Sequence, residues 1–324
     1  MGEFELIQKF KRVLGKPSKN ILVGIGDDTL VAIPPKNRLL WTVDCVVEKI
    51  HFDFKYCTPE EVGWKALAVN LSDIAAMGGK SLYALVSLAI PTRVSEKKLL
   101  GVYEGIKKCA LWSKVDVVGG NVSKSRDDFV IDITVVGEAN KPILRSGAKA
   151  GQGVAITGFP GLSAAGFYAF QKWGRGAYKK FPLSCRRHVL PEPRVEWAKT
   201  LAQLGVSSLI DVSDGLSSEL HHLSQESKVG FEIDERLLPL NEEILRLSKT
   251  LDKDPLQLML HGGEQYELLM TFPISKFSKI STAAYQNKIP FTMIGFTQGS
   301  SYKVTLRNRL NKVVNLKPRG WTHF

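Results

Sequence analysis

The sequence predicts a two-domain α/β protein, and three observations carry that expectation. The chain has 324 residues, long for one hydrophobic core, so two domains are the default. Val/Ile/Leu-rich runs of period two alternate with amphipathic segments of helical period, as in strands interleaved with helices. Between two such series lies the small, flexible stretch Arg145-Ser-Gly-Ala-Lys-Ala-Gly-Gln-Gly, which places the boundary between residues 1–146 and 147–324.

In order, Phe4, Ile7 and Phe10 share one side of an N-terminal amphipathic helix that resembles no signal or transit peptide. Residues 39–47 read as a strand with Trp41, Val43, Cys45 and Val47 on one face and Thr42 and Asp44 on the other. Cys45 is expected to be a small core residue. A helix over 59–77 opens with Pro59 and two glutamates, ends at Gly78-Gly79, and carries Asp73 on the apolar stripe of Val62, Ala66 and Val69. Strands follow at 82–90, 115–119 and 129–137, with a helix at 95–113. The second half alternates strand (154–157), helix (161–172), a basic loop, helix (192–204), strand (208–212), helix (215–227) and strand (230–233), with a hairpin over 302–316.

Hydrophobic content of 44% with 23% charged residues is that of a folded domain, which argues against disorder. No run approaches the ~18 apolar residues of a membrane span. The four cysteines form no Cys-x-x-Cys pair, so neither a zinc knuckle nor a disulfide framework is suggested, and a reducing cytoplasm is expected. A formal net charge of +12 favours anionic partners. Residues 171–190 interleave Trp173, Tyr178 and Phe181 with Arg175, Lys179, Lys180, Arg186 and Arg187. That composition admits nucleic-acid binding, although a solvated connection is the commoner outcome and no DNA- or RNA-binding signature accompanies it.

Aspartates recur in apolar or glycine-rich settings: Gly24-Ile-Gly-Asp27-Asp28, Thr42-Val43-Asp44, Leu-Ser-Asp73-Ile and Leu-Ile-Asp211-Val-Ser213-Asp214-Gly215. Aspartate is rarely buried without compensation, and none of these stretches contains Lys or Arg. A hard divalent cation with oxygen ligands supplies the compensation, with a phosphorylated substrate beside it. Taken singly each motif also suits a turn, and Asp214 could cap the helix that follows. Together they point to magnesium-dependent phosphate chemistry, in which cations cancel anionic repulsion and hold the reacting oxygens in line. Arg145 and the amides of turns 24–26 and 119–120 could add phosphate contacts. The P-loop and protein-kinase patterns are absent, and Asp-Val-Ser-Asp-Gly is not a hydrolase elbow.

These residues resemble the thiamine-monophosphate kinases. The likeness rests on Gly2-Glu-Phe-Glu-Leu-Ile, Gly24-Ile-Gly-Asp-Asp, Val43-Asp44 with His51-Phe52, Lys65 to Gly78, Arg145-Ser-Gly-Ala, Asp211-Val-Ser-Asp-Gly-Leu and Gly262-Gly-Glu-Gln-Tyr-Glu-Leu-Leu. The first and last are the most specific; the middle ones are shared with aminoimidazole ribonucleotide synthetases and selenophosphate synthetases. The resemblance implies transfer of the ATP γ-phosphoryl group to thiamine monophosphate, giving thiamine diphosphate and ADP. It implies the two-domain fold of that superfamily, in a homodimer whose N-terminal sheets form a barrel, with the C-terminal domain closing over the site. It implies Mg2+ ligands at Asp27, Thr42, Asp44, Asp73, Asn121, Asp211 and Asp214, with Val43 contributing main-chain oxygen. ATP contacts would come from Tyr103, Gly120, Asn121, Arg145 and Ser213, and thiamine monophosphate contacts from His51, Glu264 and Trp321.

The sequence departs from the family pattern at three places: Asn121 and Gln265 stand where aspartate is usual, and Ala150-Gly-Gln replaces Pro-Gly-Asp. The first exchanges a carboxylate for a neutral amide oxygen, which magnesium also accepts. No general base is expected, because a phosphate monoester, with a second pKa of about 6, is already largely ionised. The competing readings are another ATP-dependent synthetase of the superfamily and a basic nucleic-acid-binding protein. A selenophosphate synthetase would carry a reactive Cys near its N-terminus, whereas the first here is Cys45.

Overall fold

The computed structural model describes residues 3–26, 29–299 and 302–321. Two units separate along the chain: Met1–Ile74 with Gly79–Asn140 and Val189–Pro191, and Ala75–Gly78 with Lys141–His188 and Glu192–Phe324.

The first unit runs α1 (Glu3–Leu14), β1 (Ile21–Val23), β2 (Val31–Ala32), β3 (Arg38–Val47), α2 (Pro59–Ala76), β4 (Lys80–Pro91), α3 (Glu96–Ser113), β5 (Asp116–Ser125) and β6 (Val130–Ala139). Its four-stranded sheet has the order β3-β6-β4-β5. β6 is antiparallel to both neighbours, whereas β4 and β5 are parallel, so α3 supplies the crossover a parallel pair requires. Thr58 and Glu61 start α2 reciprocally: Thr58 N donates to the carboxylate (2.7 Å) and Glu61 N to the Thr58 hydroxyl (3.2 Å). α2 and α3 approach closely because Gly63 and Gly105 lack side chains; a Cβ there would collide with the carbonyls of Val102 and Glu60. α1 anchors to α3 through Phe10 stacked on Tyr103 (centroids 3.6 Å apart) and Lys9 bonded to Glu96 (2.6 Å).

β3 alternates as expected, but its apolar face is not core. Trp41 is 66% and Val43 58% exposed, and Cys45 is exposed as well. The expectation that Cys45 is a small core residue is thereby corrected. The opposite face, with Thr42 and the buried Val46, is the one turned to the rest of the unit. A period-two pattern distinguishes two faces without saying which one the fold covers.

The second unit comprises β7 (Gly153–Thr157), α4 (Leu162–Trp173), α5 (Pro182–Val189), α6 (Val195–Leu204), β8 (Ser208–Asp211), α7 (Leu216–Ser227), β9 (Gly230–Asp234), α8 (Glu242–Leu251), α9 (Pro255–His261), β10 (Leu268–Phe272), α10 (Phe277–Gln286), β11 (Phe291–Gln298), β12 (Val304–Arg307) and β13 (Val313–Asn315). The seven strands lie in the order β13-β12-β9-β11-β7-β10-β8. All pairings are antiparallel except β12 with β9. β12 and β13 form the expected hairpin.

The stretch read as a basic loop is largely helical: a 3-10 turn over Gly174–Lys179 leads into α5. Ala177, Phe181, Cys185 and Val189 recur every four residues and are all buried, so an apolar stripe under the cations drives the helix. Two of its cations lie over rings, with Lys180 5.0 Å from the Trp173 centroid and Arg175 5.2 Å from that of Tyr178. Deeper in the unit, Arg194 grips Glu267 through two bonds (2.7 and 2.6 Å), and Thr157 donates to the same carboxylate (2.6 Å).

Among the described residues, no helix is long and apolar enough to cross a membrane.

Candidate active site

In the first unit the site residues gather where β3 meets α2. Thr42 donates from its hydroxyl to Asp73 Oδ2 at 2.5 Å, which accounts for an aspartate on the helix's apolar stripe. One turn back on α2, the fully buried Asn70 treats β3 as a neighbouring strand would. Its Oδ1 accepts from Asp44 N (2.9 Å) and its Nδ2 donates to Asp44 O (3.4 Å). β3 is the sheet's edge, so these backbone groups lack a ladder partner on that side. Asn70 therefore fixes the strand at the residue carrying the exposed Asp44 side chain. The sequence reading had not assigned it a role, although an amide within Ala-Val-Asn-Leu on a helix's buried face was a legible signal.

His51 follows β3. Val47 N donates to its Nδ1 (3.1 Å), which leaves the proton of a neutral ring on Nε2. Lys65, 1% exposed, donates to the His51 carbonyl (2.7 Å). On β5, Gly120 adopts φ +153°, and a Cβ there would collide with the Val86 carbonyl. Asn121 beside it is exposed. Tyr103 is buried against Phe10, and burial pushes its phenol pKa up. Asp27 lies outside the described residues.

In the second unit, Asp211 ends β8, 3% exposed. The following turn, 212–215, is a hub. Val212 O accepts from the amides of Gln265 (3.1 Å) and Tyr266 (2.9 Å), Ser213 O from that of Glu264 (2.5 Å), and Asp214 O from that of Trp321 (3.0 Å). Asp214 does not cap α7; Gly215 stands at the cap with no side-chain bond. Instead Glu219, in the first turn of α7, accepts from Asp214 N (3.1 Å) and Ser213 Oγ (3.5 Å). Burial pushes the Glu219 carboxyl up to about 7, opposed by the bond from Asp214. This residue, too, escaped the sequence reading, because one glutamate on a mostly polar helix carries no signal.

Glu264 sits at φ +57°, with Oε2 3.4 Å from His188 Nδ1. Gln265 pins this loop by donating to the carbonyls of Gly262 (3.1 Å) and Gly263 (3.0 Å) while accepting from Ser163 N (3.2 Å). The donations need an amide, which is what stands at this departure from the family pattern. Arg145 is exposed in a short 3-10 turn, and Ser227 Oγ donates to its carbonyl (2.7 Å). Its charge acts on Glu219, lowering that carboxyl's pKa.

The structure thus brings together Thr42, Asp44 and Asp73 in one unit, and Asp211, Ser213, Asp214, Glu264 and Trp321 in the other. No group of three or more His, Cys, Asp or Glu is gathered for a metal among the described residues. The donors present are carboxylate, hydroxyl and carbonyl oxygens, the set a hard divalent cation takes and a soft metal does not.

Residues 26–139 match the AIR synthase related protein N-terminal domain, and residues 149–304 its C-terminal domain. The chain is 34% identical to the thiamine-monophosphate kinase of Bacillus subtilis, with all of both chains covered. It is likewise 34% identical to that of Aquifex aeolicus, covering 100% of this chain and 98% of the relative. Among solved structures, AaThiL complexed with AMPPCP and TMP superposes with a TM-score of 0.80 at 34% identity, over 100% of this chain and 97% of that one. The chain therefore belongs to the AIR synthase related proteins and, within them, to the thiamine-monophosphate kinase family.

Proposed function

We infer that this chain transfers the γ-phosphoryl group of ATP to the phosphate of thiamine monophosphate, giving thiamine diphosphate and ADP. The observation that carries this reading is the end-to-end likeness, in sequence and fold, to AaThiL complexed with AMPPCP and TMP.

Two anionic substrates must meet, so the chemistry is one of positioning and charge neutralisation. In the first unit, Thr42, Asp44 and Asp73, with main-chain oxygen of Val43 and the amide of Asn121, would hold Mg2+; Asp211 and Asp214 would do so in the second. Asp27 is assigned to the same set from its sequence motif. The oxygen-only character of these donors fits the ion. When bound there, Mg2+ would supply neutralisation of the phosphate charge. Gly120 would admit a phosphate close to the backbone, Arg145 would offer a fixed fork of donors, and Tyr103 and Ser213 would complete the ATP contacts. His51, Glu264 and the 56%-exposed ring of Trp321 would receive thiamine monophosphate, whose cationic ring suits both a carboxylate and an indole face. The acceptor phosphate, with a second pKa of about 6, attacks already ionised, so none of these residues is assigned as a general base.

We also propose a homodimer formed through the outer face of β3. Leu39, Trp41 and Val43 are all exposed there, and contiguous apolar surface of this kind marks an association site. The four free thiols and the use of ATP support a cytoplasmic enzyme.

The test is incubation of the purified protein with ATP, Mg2+ and thiamine monophosphate. Thiamine diphosphate and ADP are expected in equal amounts. ADP release indifferent to thiamine monophosphate, or no product at all, would overturn the assignment.

A further inference from the structure

The segment 316–321 lies along α7 and the acidic turn, fastened at four points. His221 Nε2 pairs with Leu316 O (2.6 Å), and Arg319 N donates to Ser217 Oγ (3.4 Å). Gly320 N donates to Ser218 Oγ (3.1 Å), and Trp321 N donates to Asp214 O (3.0 Å). The approach is close enough to require glycine, because a Cβ on Gly320 would collide with both Asp214 O and Ser218 Oγ. Asp214, Ser217, Ser218 and His221 thus all bond to one short strap.

We propose that Ser218 is a positioning residue, whose hydroxyl locks this strap onto α7 and so holds Trp321 at the acidic turn for thiamine monophosphate. Trp321 is 56% exposed, and its main chain is tied to the acidic turn. Ser217, Ser218 and Asp214 hold the backbone N–H groups of three successive residues, Arg319, Gly320 and Trp321. Ser218 lies four residues past Asp214, in the first turn of α7. It serves the substrate only through Gly320 and Trp321. An indole held in place before binding spares the entropy of ordering it, which appears as affinity. The strap also satisfies the Asp214 carbonyl, so the backbone on both sides of that residue is fixed, by Glu219 at its N–H and Trp321 at its C=O.

This inference rests on the assignment of Trp321 to the thiamine monophosphate site, and the experiment separates the two. Trp321→Ala, Ser218→Ala, Ser218→Thr and Gly320→Ala are compared with the wild type. The measurements are steady-state kinetics in each substrate and amide hydrogen exchange without ligand. Ser218→Ala is expected to raise KM for thiamine monophosphate about fivefold with kcat and the KM for ATP little changed, the equivalent of one lost hydrogen bond. The amides of 319–321 should exchange about tenfold faster in the same variant. Ser218→Thr keeps the hydroxyl and should restore both, whereas Gly320→Ala should mimic the loss. A Trp321→Ala variant with unchanged KM for thiamine monophosphate overturns the site assignment and the inference with it. If Trp321→Ala raises that KM while Ser218→Ala alters neither KM nor exchange, the strap is overturned and the site assignment stands.

Discussion

The hydroxyl of Thr42 points at the carboxylate of Asp73, 2.5 Å away, and so joins the edge strand of the first sheet to the helix that follows it in sequence. A structural bond of this kind survives exchange of the carboxylate for an amide, since an amide oxygen still accepts. Metal binding is weakened, because a neutral amide oxygen is a poorer ligand than a carboxylate and cancels none of the ion's charge. Asp73→Asn should therefore keep its circular dichroism and melting temperature while losing about a hundredfold or more in kcat/KM. Asp44→Asn is expected to behave alike. Near-normal turnover in both variants would refute their roles as ligands.

Asn70 offers a sharper test of how that strand is held. Asn70→Leu keeps the γ-branched shape but strips the Asp44 backbone of its two bonds. We expect a stability loss of about 1–3 kcal/mol by urea titration and about a tenfold drop in activity as Asp44 drifts. Full activity at reduced stability would confine Asn70 to a folding role.

Trp41→Asp addresses assembly. A charge placed on the exposed apolar face of β3 should convert the proposed dimer to a monomer, read by light scattering during gel filtration. An unchanged mass would place the interface elsewhere.

The Arg194–Glu267 pair tests the second unit's core. Its side chains are 10% and 5% exposed, so Glu267→Ala leaves a buried guanidinium uncompensated. The expected cost is about 3–5 kcal/mol, seen as a lower urea midpoint. A shift within experimental scatter would mean that water replaces the carboxylate.

Much of the architecture could be read from the chain because strand and helix periods differ and the caps are explicit, as in Thr58 to Glu61 ahead of α2. The acidic motifs were legible for the same reason: a carboxylate on an apolar stripe, as at Asp73, demands an explanation. Orientation was not legible. Trp41 and Val43 look like core, and only the placement of Thr42 against α2 shows that the other face is the covered one. Likewise the cations of 171–190 drew attention from the four-residue spacing of Ala177, Phe181, Cys185 and Val189 that makes the segment a helix. Asn70 could be flagged as an amide on a buried helix face but its partner, the Asp44 backbone, could not, and Glu219 works through a turn that no local pattern announces.

β3 carries the Thr42 hydroxyl and the Asp44 carboxylate on one face, with the Trp41 indole and Val43 alternating on the other. Inserting or deleting one residue upstream of Thr42 within Arg38–Val47 would exchange the two sets wholesale. The Asp44 carboxylate would then sit on the greasy side while Trp41 jammed against α2. Chemistry and self-association would fail in a single genetic event, which makes the length of this strand far less free to drift than the identity of any one residue on it.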